Sequence, residues 1–341
     1  MTRAEFAILG AGAIGSILAA HLARAGHSVV VIARGERARA VERDGLRIKG
    51  LAEFAMPVSV LTDPGRLESA DTLIVAMKTP ATEAALERLR HVRLGVALSI
   101  QNGVLKNELL TAAFGADRVL GALADTSGEL LPSGEVLFTR NVNLPLGEPA
   151  GGISERARRI AGMIDGAGVR STAVADITSM EWSKFTIWLG LMSMAVTMRS
   201  VSWRYLADAD CAQLLVPLVR EIAAVAAAQG IALVEGAAGL PLRTILEAPE
   251  SAAIEAVRKA GEQMRSRAPD HRMSALQDLE AGRPLEVEET FGYAVRKARE
   301  LGLSLPLLEA FHHLVAGIDR IRRAGTSHEA VRPEPAAGRS I

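Results

Sequence analysis

The sequence predicts an α/β N-terminal domain and a second, all-helical C-terminal domain, because its pattern changes once along the chain. Up to about residue 175, short apolar runs alternate with amphipathic segments, which is typical of a parallel sheet with helices on both faces. From about Thr178 to Arg323, helical periodicity dominates and strand patterns almost vanish. We therefore predict domains at residues 1–175 and 176–325, and a disordered Pro-, Gly-, Ala- and Arg-rich tail at residues 326–341.

The first predicted elements surround a glycine-rich turn. A short apolar strand at residues 6–9 leads into Gly10, Gly12 and Gly15; an amphipathic helix follows, and a second apolar strand occupies residues 29–32. A strand, a glycine turn, a helix and a strand within about 30 residues indicate a Rossmann-type dinucleotide-binding unit.

Each glycine of this turn has a physical task in such a unit. Gly10 permits the tight turn, Gly12 lets the pyrophosphate approach the backbone, and Gly15 lets helix and strand pack closely. The helix N-terminus offers free N–H groups and a positive dipole end to the phosphates. We therefore include Ala13 and Ile14, which lie within the turn, in the predicted cofactor site.

The alternative interpretation of this stretch is a signal peptide, because Arg3 precedes an apolar segment with small residues. However, Glu5 interrupts its start, the glycines would break the apolar region, and His21 and Arg24 fall in its later part. These residues favour the nucleotide-binding interpretation, and we expect a soluble, cytoplasmic protein.

Composition argues against several other classes of protein. The 39 basic residues balance the 39 acidic ones, so no overall charge favours nucleic acid. Cys211 is the only cysteine, so no intrachain disulfide can form and a thiolate metal site is not expected. The conspicuous uncharged run at residues 185–198 is too short to span a membrane and fits a buried helix. We therefore expect no nucleic-acid, membrane or metal partner.

The end of the second strand predicts which dinucleotide binds. In NAD sites an acidic residue about 20 positions after the glycines binds the ribose 2′-OH. Here that position holds Arg34, with Arg37 and Arg39 close behind, and Glu36 comes two residues too late. A guanidinium suits a 2′-phosphate, which it can bind bidentately. We predict NADP(H) as the cofactor; the alternative is a solvated loop arginine.

The other elements of the first half follow in chain order. We predict strands at residues 45–49, 56–61, 72–77, 96–100, 119–124 and 169–173, hairpin strands at residues 134–139 and 142–147, and helices at residues 81–89 and 153–164. Lys78 and Asn102 each follow an apolar strand directly. Because ligands of open α/β sheets bind outside the carboxyl ends of the strands, both are expected to face the cofactor cleft. Each could equally be an ordinary polar residue after a strand.

The second half offers a few polar residues in an apolar setting. Lys184 is expected to open the most apolar helix of the chain, where it either reaches out to water or serves a site. Ser274 and Asp278 share a helix face at i, i+4, and could be no more than a cap and a surface charge. Glu286 precedes the next predicted helix and could merely favour its N-terminus. His312, beside His313 on a late helix, reads as structural.

Taken together, these stretches resemble the ketopantoate reductase family, the 2-dehydropantoate 2-reductases, over nearly the whole chain up to about Arg323. The features that carry the resemblance are the glycine turn, the strand ends at Lys78 and at residues 101–103, the Trp182–Lys184 segment, and Ser274 to Asp278 followed by Glu286. The resemblance implies a Rossmann-type domain, an all-helical domain and a cleft between them. It also implies NADPH-dependent reduction of a 2-oxo acid to a 2-hydroxy acid.

The resemblance also assigns roles by position. Lys184 corresponds to the family's catalytic lysine, the general acid, which would protonate the carbonyl oxygen as hydride arrives from C4 of NADPH. Glu286 corresponds to a catalytic glutamate that binds the substrate hydroxyl, and Ser274 to a serine that binds the substrate carboxylate. Lys78 and Asn102 correspond to residues at the junction of cofactor and substrate.

The resemblance breaks on the helix after the lysine. Family members typically carry asparagines four and eight residues after it, where this chain has Trp188 and Met192. Two amide groups are thus replaced by apolar side chains, which puts ketopantoate itself in doubt as the substrate. A related dehydrogenase for a more apolar oxo acid or an imine, and a non-catalytic NADP(H)-binding protein, stay open as alternatives. A homodimer formed through the helical domain is compatible with each.

Overall fold

The structure, a computed structural model, describes residues 2–236 and 239–329. The chain divides into two compact units, of which the first ends at Phe185 and the second begins at Thr186. This division falls inside the long helix α6 (Ile177–Met198). Helix α13 (Pro306–Glu329) continues through the first residues of the predicted tail, and residues 330–341 lie outside the described part of the chain.

The first unit is organised around an 11-stranded sheet. Its strands are β1 (Thr2–Leu9), β2 (Val29–Ile32), β3 (Leu46–Gly50), β4 (Phe54–Met56), β5 (Ser59–Leu61), β6 (Leu67–Val75), β7 (Arg93–Ser99), β8 (Val119–Ala122), β9 (Asp125–Leu130), β10 (Val136–Gly147) and β11 (Ser171–Ala173). The main path runs β4-β3-β10-β8-β7-β6-β1-β2-β5. Within it, the six strands from β8 to β5 are mutually parallel. The chain order reverses at β1, which is the point where ligands bind in such sheets.

Five helices belong to the first unit before α6. They are α1 (Ala13–Arg24), α2 (Gly35–Asp44), α3 (Thr82–Glu87), α4 (Leu105–Phe114) and α5 (Glu155–Gly166). Alternate residues of β1 enter two separate hydrophobic clusters: Phe6 and Ile8 lie in one, Ala7 and Leu9 in the other. The sheet is therefore buried on both faces, and the predicted α/β fold class is confirmed.

Two sequence predictions about strands were wrong. The segments predicted as a hairpin at residues 134–147 form one continuous strand, β10, which pairs antiparallel with β9 and with β8. The segment predicted as one strand at residues 56–61 is interrupted at Pro57, which has no N–H to donate to a strand ladder. Its halves, β4 and β5, pair with β3 and β2, so they extend opposite ends of the sheet path.

Each regular element that the structure describes in the second unit is a helix. After the end of α6 the unit contains α7 (Ser202–Ala207), α8 (Ala209–Ala228), α9 (Leu242–Glu247), α10 (Glu250–Arg267), α11 (Ser274–Glu280), α12 (Tyr293–Glu300) and α13. A π-helical segment, Glu288–Gly292, leads directly into α12. Helix α8 is long and apolar enough to cross a membrane by composition, but 56% of its apolar window is buried inside the protein, as in a core helix.

Candidate active site

The glycine turn follows β1 at the point where the strand order reverses. Gly10 has a φ of 112°, and a side chain there would lie 2.8 Å from the Met77 nitrogen. At Gly15 a Cβ would lie 2.1 Å from the Gly10 carbonyl oxygen and 2.9 Å from Ala76 Cβ. These close approaches allow helix α1 to start tightly against β1 and the end of β6.

The N-terminus of α1 fits the phosphates of a dinucleotide. Gly12 occupies the N-cap position, and no side chain caps the helix there. A Cβ on Gly12 would meet only the Ala76 carbonyl oxygen, at 3.8 Å, so the space in front of this residue is open. The first backbone N–H groups of α1, including those of Ala13 and Ile14, are therefore available to an anion.

The arginines after β2 have different environments. Arg34 is exposed and occupies the N-cap position of α2. Arg37 is held in the fold: its guanidinium donates to the Ala11 carbonyl at 2.9 Å, to Ser16 Oγ at 2.9 Å and to the Gly134 carbonyl at 2.8 Å. Of the two, Arg34 is the one whose guanidinium is exposed for a ligand, and Arg37 braces the glycine turn.

The structure brings Lys78 and Asn102 to one edge of the sheet. Lys78 is exposed just after β6, and Asn102 is partly exposed just after the neighbouring β7. Between them Gln101 is buried, and its amide donates to the Met77 carbonyl at 2.7 Å and to Thr82 Oγ1 at 2.6 Å. These hydrogen bonds connect the segments that follow β6 and β7. The backbone next to Asn102 is therefore held in place.

Lys184 lies in the third turn of α6, not at the helix start as predicted. Its Nζ donates to the Ala124 carbonyl at 2.7 Å, and Ala124 lies between the end of β8 and the start of β9. Burial, and after it the positive charge of Lys106, lowers the pKa of Lys184 from its usual 10.5 to about 8. Lys184 therefore lies at the same sheet edge as the glycine turn, with a proton that it can release near neutral pH.

The sequence interpretation missed two charged residues beside Lys184. Lys106 and Glu181 form a buried ion pair, with Nζ and Oε1 3.1 Å apart. The sequence did contain one indication that Glu181 lies near Lys184. Glu181 precedes Lys184 by three residues and is therefore on the same helix face. The distance of about 75 residues between Lys106 and Glu181 in the sequence gave no hint of their pairing.

The helical unit holds the predicted substrate-binding residues Ser274 and Glu286. Ser274 is exposed and is the first residue of α11, while Met273 occupies the N-cap, so the serine is not a cap. The alternative of a surface charge does not hold for Asp278, because it is 6% exposed and accepts a hydrogen bond from Arg283 at 2.7 Å.

Glu286 is buried, and its carbonyl accepts a hydrogen bond from Thr290 Oγ1 at 2.5 Å. Glu286 lies two residues before the π-helical segment Glu288–Gly292. Such segments are frequent at functional sites. Burial, together with the carboxylates of Glu286 and Glu288, raises the pKa of Glu289. The charge of the Glu286 carboxylate therefore contributes to the raised pKa of Glu289.

Trp188 and Met192 are both buried in α6, at 7% and 1% exposure. Lys184 lies one turn before Trp188 and two turns before Met192, on the same helix face.

The described part of the chain gives no sign of a metal site. Within residues 2–236 and 239–329, no group of three or more His, Cys, Asp or Glu side chains is arranged to hold a metal ion. His312 Nε2 donates a hydrogen bond to Glu288 Oε1 at 3.0 Å and the ring stacks on His313, a local arrangement within the helical unit.

Comparison with known proteins matches both halves of the chain. The family model described as "Ketopantoate reductase PanE/ApbA" matches residues 6–151, and its C-terminal counterpart matches residues 176–319. A 2-dehydropantoate 2-reductase from Archaeoglobus fulgidus is 30% identical over 314 residues, which cover 92% of this chain and 97% of the relative. One from Mycobacterium tuberculosis is 31% identical, covering 91% and 96%. The crystal structure of 2-dehydropantoate 2-reductase from Geobacter metallireducens, 26% identical, superposes with a TM-score of 0.78 over 93% of this chain and 99% of the other.

Proposed function

Because this chain belongs to the ketopantoate reductase family and is an oxidoreductase, we propose that it reduces a 2-oxo acid to a 2-hydroxy acid with NADPH and with Lys184 as the general acid. The observation that carries this proposal is the lysine at the carboxyl edge of a dinucleotide-binding sheet, with a pKa lowered to about 8. Relatives that cover more than nine-tenths of the chain are named for this reaction, which supports the substrate class.

The cofactor would be held by the glycine turn and the strand ends. Gly10, Gly12 and Gly15 shape the approach to the α1 N-terminus, where the pyrophosphate would bind. When bound, NADPH supplies the hydride. Arg34 is exposed at the end of β2 and would bind the 2′-phosphate, and Lys78 would add positive charge after β6.

Lys184 would supply the proton. With a pKa of about 8 its amine is protonated at pH 7, yet it gives up the proton far more readily than an ordinary lysine. The Ala124 carbonyl takes one of its three N–H donors and thereby orients the ammonium group. The other N–H groups can then meet an oxygen on which negative charge develops.

The substrate would be anchored by three polar residues. Ser274, exposed at the start of α11, would bind the carboxylate, and Glu286 would accept a hydrogen bond from the hydroxyl group. Asn102 would contribute its amide after β7. These roles follow the family pattern by position, and substitution of each residue can test its role.

Arg34→Ala is expected to weaken NADPH binding by roughly ten- to a hundred-fold, while NADH binding changes little. A charge-assisted hydrogen bond to the 2′-phosphate contributes about 1.5–3 kcal/mol, and NADH has no such phosphate. Titration of both cofactors by fluorescence measures the effect. Arg39→Ala is the matched control, because Arg39 is exposed on the same helix and pairs with Glu36. Equal affinity of the unmodified protein for NADPH and NADH would contradict the proposal.

The best substrate is expected to be a 2-oxo acid with a more apolar or bulkier side chain than ketopantoate. If the face of α6 that carries Trp188 and Met192 lines the pocket, a substrate hydroxyl there would lose water without gaining a partner, at a cost of about 1–3 kcal/mol. An apolar group would instead gain roughly 0.8 kcal/mol per buried methylene.

The measurement is kcat/KM for ketopantoate against 2-oxo acids with branched or aromatic side chains. A ten-fold or greater advantage for ketopantoate would mean that Trp188 and Met192 pack in the core and do not set specificity. In that case the reaction named for the relatives would hold without modification.

A further inference from the structure

We propose that the buried ion pair of Lys106 and Glu181 is a positioning device for Lys184, which anchors the first turns of α6 on the ends of β7 and β8. This inference rests on the proposed role of Lys184 and adds two residues to it. Lys106 belongs to α4, Glu181 and Lys184 to α6, and all three lie in the first unit.

The ammonium group of Lys106 is completely engaged. Its side chain is 3% exposed, and its Nζ contacts the Gln101 carbonyl at 3.2 Å, the Ala122 carbonyl, and Glu181 Oε1 at 3.1 Å. A lysine has three N–H donors, so each one has a partner. Lys106 thus holds the residue before Asn102, the last residue of β8 and helix α6 at one point.

Both carboxylate oxygens of Glu181 also have partners. Its Oε1 also accepts the Ala122 N–H at 3.0 Å, and its Oε2 accepts the Asn107 amide at 2.6 Å. The helix comes very close to the strand here, because a Cβ on Gly121 would lie 2.8 Å from Ile177 and 3.1 Å from Glu181 Oε2. The carboxylate therefore fixes both the height and the rotation of α6 on β8.

That rotation decides where Lys184 points. Glu181 and Lys184 are three residues apart on one helix face, and their backbone partners, Ala122 and Ala124, are two residues apart on the chain that leaves β8. A buried ion pair is seldom a net source of stability compared with apolar residues, whereas breaking one partner away is costly. A role in positioning α6, and not a gain in stability, therefore accounts for the burial of this ion pair.

Lys106 and Glu181 are also two of the four charged residues that affect the pKa of Lys184. Four groups act on its ammonium: Lys106 and Arg140 disfavour the charged form, and Asp125 and Glu181 favour it. Arg140 and Asp125 pair with each other at 2.8 Å, with side chains 55% and 43% exposed, so solvent screens that pair. The buried pair is the one whose charges act on Lys184 with little screening.

The test compares Lys106→Met with Glu181→Gln, because the two changes have opposite expected effects on Lys184. Loss of the positive charge should raise the pKa of Lys184 by roughly half a unit to one unit, and loss of the negative charge should lower it by a similar amount. The protein has six lysines, so ¹³Cε-lysine NMR can follow each one, with Lys184→Ala to assign the signal. In both variants kcat should fall about ten-fold or more, with NADPH affinity within two-fold.

The matched control is the more accessible pair Lys49–Glu135 of the same unit, whose Nζ and Oε1 are 2.9 Å apart and whose side chains are 49% and 17% exposed. Lys49→Met and Glu135→Gln should leave both the Lys184 titration and kcat unchanged. Opposite pKa changes in the buried pair only would support the proposal. An unchanged Lys184 titration, or a change in the same direction in both variants, would overturn it.

The double variant Lys106→Met/Glu181→Gln covers the case in which a single variant does not fold. It buries no unpaired charge, yet it has lost the anchor, so kcat should still fall about ten-fold while NADPH still binds. Normal kcat in this variant would overturn the proposal. The NMR titration needs no substrate, so an absence of oxo-acid reduction by the unmodified protein would contradict the proposed function and leave the positioning role to be judged by the titration.

Discussion

Lys184→Ala is expected to lower kcat by roughly 10²–10⁴-fold while NADPH binding stays nearly intact. The substitution removes the group that would protonate the carbonyl oxygen, and general acid catalysis typically contributes a factor of this size. Lys184→Arg keeps the positive charge but cannot release its proton, so its activity should stay low as well. Single-turnover rates and cofactor titration separate the chemical step from binding.

The pH dependence follows from the same side chain. Because the acid acts in its protonated form, the reduction rate should be highest below about pH 8 and should fall as pH rises through the pKa of Lys184. This decline should be absent from the residual activity of Lys184→Ala. A flat profile between pH 6 and pH 10, or near-normal turnover in the alanine variant, would mean that the lysine has only a structural role.

Gly15→Ala is expected to lower the stability of the protein, whereas Gly12→Ala is expected to weaken cofactor binding and leave stability unchanged. At Gly15 the new Cβ would lie 2.1 Å from the Gly10 carbonyl oxygen, so the turn must open and the free energy of unfolding should fall by several kcal/mol, on the order of the larger single-residue effects. At Gly12 the backbone has φ −69° and the Cβ meets only one atom at 3.8 Å, so alanine fits the protein itself.

The Gly12 variant should instead lose NADPH. Its methyl group enters the open space before the α1 N-terminus, where the pyrophosphate would approach the backbone. We expect an unchanged melting temperature and at least ten-fold weaker NADPH binding, since loss of even one good phosphate contact costs about 1.5 kcal/mol. Thermal unfolding and cofactor titration of the two variants measure both effects. Tight NADPH binding by Gly12→Ala would place the pyrophosphate elsewhere.

Much of the first unit could be predicted because its signals are local. The glycines at positions 10, 12 and 15 report a backbone that only small residues can adopt, and the apolar runs report strands buried on both faces. The resemblance to the ketopantoate reductase family was confirmed by matches to both halves of the chain. The roles of Lys184, Ser274 and Glu286, the domain limits and the homodimer stay predictions.

Other errors arose where neighbouring residues do not determine the outcome. One long strand at β10 has the same alternation as two hairpin strands, and only its pairing with β9 and β8 distinguishes them. The sequence left a surface charge open as an alternative for Asp278, because its partner, Arg283, lies beyond the end of the helix. Arg34 and Arg37 are equally basic in sequence, and the fold alone leaves one exposed and holds the other on the glycine turn.

The sequence by itself determined that this chain has a dinucleotide-binding turn, a sheet buried on both faces and a lysine in an apolar helix, because backbone conformation and hydrophobic period depend on residues close together in the chain. Only the tertiary structure decided how reactive that lysine is. Its pKa depends on burial and on charged residues from four separate elements, and its Nζ finds its partner in the Ala124 carbonyl, 60 residues away in the sequence. Electrostatic fields act through space and not along the chain, so they follow from the fold and not from the sequence pattern.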